Sequence, residues 1–316
     1  MKIVILDKAS MGDDTPFSVL NKFGEIVIYD YSTPSEAVSR SVDADVVIIN
    51  KVKITEELML SSKNLKLICV FATGFDNIDI PAARRLGIGV CNVPGYSTDS
   101  VLLYTISTVL ALSARLYEYN SFVRSGEYSV SGAPNRLTPV FHEIRGKVWG
   151  IVGYGNIGRA VAKVAEAMGA RVIVYKRTPV EDADCVDMDT LCKESDIITI
   201  HCPLNDESRS LINEQRISLM KKNVILVNEA RGAVLDENAV ALAVEGGKIS
   251  AFGCDVYSVE PFDEKHPFYR IKNRENVLLT PHSAWGAHEA RERCINIIAD
   301  NIEAFENGKT LNRVDK

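Results

Sequence analysis

The chain has 316 residues, of which 46% are hydrophobic, and its 36 Lys and Arg against 42 Asp and Glu give a net charge of −6. This length predicts about two domains, and the apolar content excludes a disordered protein. The acidic balance argues against a nucleic-acid partner, because such proteins usually carry a basic face.

The seven cysteines form no CxxC pair. We therefore expect reduced thiols, with neither a disulfide framework nor a metal site. The first apolar run stops at Asp7, too early for a signal peptide. The apolar stretch at residues 101–116 is interrupted by Thr and Ser and predicts a buried helix rather than a membrane span. We expect a soluble cytoplasmic protein with no membrane partner.

Short apolar, β-branched runs alternate with helical patterns along the chain. Strands that are apolar on both faces are typical of parallel sheets covered by helices on both sides. The sequence therefore predicts an α/β fold with two doubly wound parallel sheets. The predicted strands are residues 2–6, 25–29, 45–49, 67–71, 88–91, 148–152, 171–175, 197–200, 224–227 and 249–252.

Three further features punctuate this alternation. A first boundary is predicted near Pro94, where a strand ends and a long helix begins, with capping residues at 97–99. The last helix is predicted for residues 286–307, ended by Gly308. Residues 125–138 are rich in Gly, Ser, Pro and Asn and predict a connecting loop.

A glycine-rich segment, GYGNIG at residues 153–158, follows one predicted strand and precedes a helical pattern over residues 159–168. This context predicts a dinucleotide-binding turn, whose glycines let the backbone approach a pyrophosphate at the helix N-terminus. A turn that binds nothing is the alternative. The candidate cofactor residues are Gly153, Gly155, Asn156, Ile157 and Gly158.

The end of the next strand carries cations. Lys176, Arg177 and Thr178 stand where an NAD-binding protein normally has Asp or Glu for the ribose 2′-hydroxyl. Two cations can instead bind the 2′-phosphate of NADP. The alternative is that both side chains only face solvent while NAD binds without the acid. The charge reversal favours NADP over NAD.

Three motifs follow, each predicted at the carboxyl end of a strand. They are NEARG at residues 228–232, DVYSVEP at residues 255–261 and TPH at residues 280–282. Ligands of open α/β sheets gather at that edge, so Arg231, Glu260 and His282 are expected in one cleft. Each alone has a structural alternative: a surface charge, a turn residue or a packed histidine.

These residue types suit hydride chemistry on a 2-oxo acid. An imidazolium donates a proton to the developing alkoxide, which suits His282. A neighbouring carboxylate favours the charged imidazole and orients it, which suits Glu260. A guanidinium binds the substrate carboxylate and polarises the carbonyl, which suits Arg231.

Over nearly its whole length the chain resembles the D-isomer-specific 2-hydroxyacid dehydrogenases. The matching segments are ATGFDNID at residues 72–79, NVPGYSTDSV at 92–101, the glycine turn, HCPL at 201–204 and the three motifs. The resemblance implies a flavodoxin-like substrate domain of residues 1–97 and 287–316, interrupted by a Rossmann cofactor domain of residues 98–286. It also implies a homodimer.

The resemblance also implies site residues. Arg231, Glu260 and His282 form the family's catalytic triad, and the backbone at Thr73 and Gly74 binds the substrate carboxylate. Residues expected at the cofactor are His201, Cys202, Pro203, Ala230 and Asp255.

Within the family, the segments at 93–101 and 280–285 are most similar to glycerate dehydrogenases, also called hydroxypyruvate reductases. Lys51 resembles that branch and is expected to border the substrate. Trp285 is expected either to line the substrate pocket or to be an ordinary packing residue. Lys176 departs from the family's usual Asp, and His288 replaces a small polar residue and is interpreted as a cap or interface residue.

The remaining histidines and two other functions complete the predictions. His142 and His266 fall in predicted loops and are expected to be exposed to solvent.

The leading function is reduction of a small 2-oxo acid such as hydroxypyruvate or glyoxylate. The alternatives are a 3-phosphoglycerate dehydrogenase, which would need further cations, and a dinucleotide-sensing corepressor without turnover.

Overall fold

The computed structural model describes residues 1–316 as two compact units. Unit 1 comprises Met1–Ser97 together with Gly286–Lys316, and unit 2 comprises Thr98–Trp285. The strands, in chain order, are β1 Lys2–Ile5, β2 Glu25–Ile28, β3 Val46–Ile49, β4 Leu67–Val70, β5 Gly89–Cys91, β6 Val148–Val152, β7 Arg171–Tyr175, β8 Ile197–Ile200, β9 Val224–Asn228, β10 Ile249–Cys254 and β11 Val277–Leu279.

The helices alternate with these strands through most of the chain. In chain order they are α1 Pro34–Ser41, α2 Glu56–Ser61, α3 Ile80–Leu86, α4 Thr98–Ser113, α5 Leu116–Arg124, α6 Glu127–Val130, α7 Asn156–Ala167, α8 Met188–Glu194, α9 Glu214–Leu219, α10 Glu237–Glu245 and α11 His288–Glu306. No single helix is long and apolar enough to span a membrane; only α4 and α5 taken together, across a bend of 64°, reach that length and composition.

Unit 1 contains a five-stranded parallel sheet in the order β2-β1-β3-β4-β5. All four residues of β3 and all four of β4 are buried, because these apolar strands lie in the interior of the sheet. Strand β2 is less buried, and its Ile28 is 44% exposed. An edge strand has a neighbour on one side only, so it tolerates this exposure.

Unit 2 contains a six-stranded parallel sheet in the order β11-β10-β9-β8-β6-β7. After β6 the chain adds β7 on one side and then crosses to place β8 on the other. Such a reversal opens a crevice at the carboxyl ends of the two diverging strands, here β6 and β8. The predicted class, α/β with two doubly wound parallel sheets, is confirmed.

Two local predictions need correction. The segment 125–138, predicted as a loop, contains the short helix α6. The helix after the glycine turn begins at Asn156 rather than at residue 159, because Gly155 adopts the extended backbone of an N-cap.

Helix α4 packs closely on β10: a Cβ atom on Gly253 would lie 2.3 Å from Thr108 Cγ2, so only glycine permits this approach.

Candidate active site

The glycine turn after β6 has the geometry of a phosphate cradle. Gly153 has a φ of +97°, and a Cβ atom there would lie 2.5 Å from the Cys202 backbone nitrogen. A Cβ atom on Gly158 would lie 2.1 Å from the Gly153 carbonyl oxygen. Gly155 instead faces open space, with nothing within 4 Å of its Cβ position, at the start of α7. No side chain caps α7, so its first N–H groups are available to an anion.

The opposite wall of this crevice is the segment after β8. Both ring nitrogens of His201 are buried without a hydrogen-bond partner, and burial lowers the pKa of His201 to about 3. Burial also raises the pKa of Cys202 to about 11, so this thiol stays protonated and unreactive at neutral pH. Together with Pro203, these residues place a neutral surface beside the glycine turn.

The cations at the end of β7 are partly engaged. Arg177 is exposed, and its Nη1 lies 2.9 Å from Glu207 Oε2 across an exposed ion pair. Lys176 is half-buried and Thr178 is exposed. Exposed ion pairs are screened by solvent and contribute little, so Glu207 does not prevent Arg177 from binding a phosphate.

Arg231 lies in a turn built by the last residue of β9. The Asn228 side chain accepts a hydrogen bond from Ala230 N at 3.1 Å and donates one to the Arg231 carbonyl oxygen at 3.0 Å. The half-buried Arg231 donates from Nη1 to the Ala230 carbonyl oxygen at 2.8 Å. Asn228 therefore fixes the backbone from which the guanidinium extends.

Glu260 and His282 are in direct contact. Glu260 Oε2 lies 2.7 Å from His282 Nδ1, with side chains 30% and 23% exposed. Glu260 Oε1 also accepts a hydrogen bond from Tyr257 N at 2.9 Å. The carboxylate is thus held by its own loop on one side and orients the imidazole on the other.

Asp255 organises the turn that carries His282. Its Oδ1 accepts hydrogen bonds from Thr280 Oγ1 at 2.6 Å and Ser283 N at 2.9 Å, and its Oδ2 accepts one from Ala284 N at 2.8 Å. His282 donates its backbone N–H to the Asp255 carbonyl oxygen at 2.8 Å and has a φ of +53°. Asp255 is 1% exposed, so its carboxylate supports the turn rather than presenting itself to a ligand.

The three motifs lie on neighbouring strands, because β9, β10 and β11 are adjacent in the sheet. Their loops also touch. A Cβ atom on Gly232 would lie 2.0 Å from the Tyr257 carbonyl carbon, so the turn of Arg231 packs directly against the loop of Glu260. Trp285 closes the His282 turn by donating from Nε1 to the His282 carbonyl oxygen at 2.9 Å.

The substrate residues expected in unit 1 follow the neighbouring strands β3 and β4. Lys51 is exposed, and its backbone N–H donates to Asp7 Oδ2 at 2.5 Å. Thr73 is exposed and donates from Oγ1 to the Val93 carbonyl oxygen at 2.9 Å, next to the half-buried Gly74. These loops share the carboxyl edge of the unit 1 sheet.

Three residues with a place in these sites escaped the sequence analysis. Asp7 holds the loop after β3 by accepting hydrogen bonds from three successive backbone N–H groups. Glu229 is 8% exposed, and burial together with nearby Asp255 raises its pKa to about 8. An acidic residue directly after an apolar strand is the signal common to both. The third, Glu237, is 7% exposed and lies in the first turn of α10.

The prediction that His266 is exposed is wrong, whereas His142 is exposed. His266 is 9% exposed and packs against the rings of Tyr257, Phe262 and Phe268. These aromatic residues cover it, although it lies in a connecting segment. His288 begins α11, where its Nδ1 lies 2.9 Å from Asp14 Oδ2.

The chain belongs to the D-isomer specific 2-hydroxyacid dehydrogenase family. The model of that family's NAD-binding domain matches residues 106–284. The hydroxypyruvate reductase of Blautia hydrogenotrophica is 34% identical over 325 residues, covering 100% of both chains. The glyoxylate reductase of Thermococcus litoralis is 39% identical over 303 residues, covering 92% of this chain and 90% of its own. The protein is therefore a nicotinamide-dependent oxidoreductase of this family.

A solved structure supports the same assignment. An acyclic imino acid reductase in complex with NADPH and D-Arg is 30% identical, with a TM-score of 0.88 over 99% of this chain and 100% of its own. The glycine turn, with its open Gly155 and uncapped α7, fits the pyrophosphate of such a cofactor.

Proposed function

We propose that this chain catalyses the reversible reduction of a small 2-oxo acid of the hydroxypyruvate or glyoxylate type, with Arg231, Glu260 and His282 as its catalytic residues. The observation that carries the proposal is the 2.7 Å contact between Glu260 and His282, next to the turn of Arg231. The names of the two relatives, a hydroxypyruvate reductase and a glyoxylate reductase, favour this substrate class.

In this proposal His282 is the general acid and base that transfers a proton to and from the substrate oxygen. Its Nδ1 is committed to Glu260, so we assign proton transfer to Nε2. The Glu260 carboxylate favours the imidazolium form, which donates to the carbonyl oxygen during reduction and takes the proton back during oxidation. The bound nicotinamide supplies or accepts the hydride.

Arg231 binds the acid. A guanidinium forms paired hydrogen bonds with a carboxylate and draws electron density from the adjacent carbonyl. We propose that the backbone at Thr73 and Gly74 is the carboxylate-binding segment of unit 1, with Lys51 as a further substrate residue there, and that Trp285 is a substrate residue of unit 2. Under this proposal unit 1 is the substrate domain and unit 2 the cofactor domain.

We propose that the cofactor lies on the glycine turn, with Lys176, Arg177 and Thr178 near the ribose. The segment His201, Cys202 and Pro203 forms the opposite wall, and Ala230 borders the nicotinamide end, with Asp255 supporting that end from behind. The cations at the end of β7 favour NADP over NAD.

Steady-state kinetics with hydroxypyruvate, glyoxylate, pyruvate and a branched 2-oxo acid test the substrate class. Hydroxypyruvate or glyoxylate should give the highest kcat/KM, because the proposal places a small acid at this site. A clear preference for the branched acid, or cofactor binding without turnover of any acid, would contradict the proposal.

The cofactor preference has its own test. NADPH should give a higher kcat/KM than NADH, and Lys176→Ser should reduce that advantage by about 10- to 100-fold, since a hydrogen bond to a charged group contributes about 1.5–3 kcal/mol. Glu214→Gln, at the exposed first position of α9, is the control. A wild-type preference for NADH would overturn the assignment.

A further inference from the structure

We propose that Glu237 and His266 are positioning residues, which hold the loop of Glu260 so that this carboxylate stays on His282. The proposal rests on the function proposed above, because it concerns the same pair. It adds two residues that lie behind the site and do not reach its surface, since Glu237 is 7% exposed and His266 is 9% exposed.

The loop that carries Glu260 needs such support. It runs from Asp255, after β10, to His266, before the 3₁₀ turn Pro267–Arg270. Its middle lies at the surface: Ser258 and Glu260 are exposed, and Val259 is 63% exposed. An exposed segment with few buried apolar contacts holds a fixed conformation only where its backbone is tied down.

Glu237 ties down the start of this loop. Its Oε1 accepts a hydrogen bond from Ser258 N at 2.8 Å, and its Oε2 accepts one from Ser258 Oγ. Burying a carboxylate is costly unless hydrogen bonds compensate, and here the compensation comes from one loop residue. The buried carboxylate and Ser258 therefore fix each other.

His266 connects the far end of the loop to the same carboxylate. Its Nδ1 accepts a hydrogen bond from Phe268 N at 3.2 Å, which leaves the proton of the neutral ring on Nε2. That nitrogen lies 3.0 Å from Glu237 Oε2, although the contact is not aligned as a hydrogen bond. Glu237 thus meets both ends of the loop.

The effect reaches Glu260 through two successive backbone N–H groups. Tyr257 N donates to Glu260 Oε1 at 2.9 Å, and Ser258 N donates to Glu237 Oε1 at 2.8 Å. Gly232 packs directly against the Tyr257–Ser258 dipeptide, and no Cβ atom would fit at its position. Releasing Ser258 therefore frees the neighbouring amide that holds Glu260, and the carboxylate loses its fixed position on His282.

The test compares two glutamates of one helix. Glu237→Ala removes the anchor, whereas Glu245→Ala breaks a contact between Glu245 Oε2 and Arg270 Nε, 3.2 Å apart, at the other end of α10. For Glu237→Ala we expect kcat to fall about 10- to 100-fold, since a misplaced catalytic group costs rates of that order. The KM for the cofactor should stay unchanged, and Glu245→Ala should match the wild type.

The pH profile separates positioning from folding. With Glu260 displaced, the imidazolium of His282 is less favoured, so the rate of reduction should fall at a lower pH than in the wild type. Other titratable groups contact the turn of His282: Asp255 binds Thr280 and Ser283, Tyr257 binds Thr280, and Tyr104 binds Ser283. Neither variant changes these groups. Glu237→Gln keeps an oxygen for Ser258 N and should restore much of the wild-type profile.

A double variant completes the test. Glu237→Ala should add little to the loss caused by Glu260→Gln, because both act through one carboxylate. A folded Glu237→Ala with the wild-type pH profile, additive losses, or equal effects of Glu245→Ala would overturn this inference alone. An unmoved profile in Glu260→Gln would instead contradict the proposed function.

Discussion

Unit 2 contains two carboxylate–imidazole pairs that differ in exposure and in the alignment of their contact. Glu260 and His282 lie 2.7 Å apart with side chains 30% and 23% exposed, whereas Glu237 and His266 lie 3.0 Å apart with side chains 7% and 5% exposed. The same loop contributes Glu260 to one pair and His266 to the other. Under the proposed function, access to a ligand rather than residue type separates the roles of the two pairs.

The comparison also explains why the buried pair cannot replace the exposed one. The ring of His266 is enclosed by Tyr257, Phe262 and Phe268, so no substrate oxygen reaches it. His282 instead follows β11 at the carboxyl edge of the sheet, where ligands of this fold bind. The variants of His282, His266 and Glu260 below each break one of these two pairs.

The largest effect is expected from His282→Gln. Without a proton donor, kcat for reduction should fall by about 10²- to 10⁴-fold, the usual contribution of general acid catalysis. Cofactor affinity, followed by titration of nicotinamide fluorescence, should change little because His282 is not part of the glycine turn. His266→Gln should have a smaller effect on kcat. Equal losses in the two variants would remove the distinction between the pairs.

Glu260→Gln should have the next largest effect. The amide keeps the shape of the side chain but no longer favours the imidazolium, so the pH above which reduction slows should move downward. The rate at low pH should recover part of the loss, because His282 is protonated there even without its partner. A pH–rate profile from pH 5 to 9 measures this; a profile that keeps its wild-type position contradicts the coupling.

The smallest effect on activity is expected from Glu229→Gln. This variant changes a buried carboxyl group that belongs to neither carboxylate–imidazole pair. Burial raises the pKa of Glu229 to about 8, whereas an exposed glutamate has a pKa of about 4.5. The free energy of unfolding should therefore fall as pH rises through this window, by up to about 4 kcal/mol at about 1.4 kcal/mol per pH unit.

Glu229→Gln cannot lose that proton, so its stability relative to the wild type should increase from pH 5 to pH 8. Thermal unfolding midpoints at several pH values measure the difference, and Glu214→Gln on the exposed start of α9 serves as control. A constant difference across this range would mean that Glu229 is ionised in the folded chain.

Much of this architecture could be predicted from the sequence. Apolar, β-branched runs such as β3 and β8 fit only buried parallel strands, and the glycine turn needs residues that few other contexts require. The position of Arg231, Glu260 and His282 at strand ends follows from the same rule. These features depend on local pattern and sheet geometry.

The parts that could not be predicted depend on contacts that the local sequence pattern does not encode. His266 is buried by rings from other positions of its own loop, which its surrounding sequence does not indicate. Arg177 has a partner, Glu207, that belongs to the segment after the next strand. The anchoring role of Glu237 is equally hidden, because an acidic residue in the first turn of a helix usually only stabilises the helix dipole.

The most direct test is a crystal structure with reduced cofactor and oxamate, an unreactive analogue of a 2-oxo acid. The account predicts that His282 Nε2 lies within hydrogen-bond distance, about 2.6–3.2 Å, of the oxamate carbonyl oxygen, with the Arg231 guanidinium on its carboxylate. Oxamate bound beside the nicotinamide, with His282 and Arg231 directed away from it, would contradict the account.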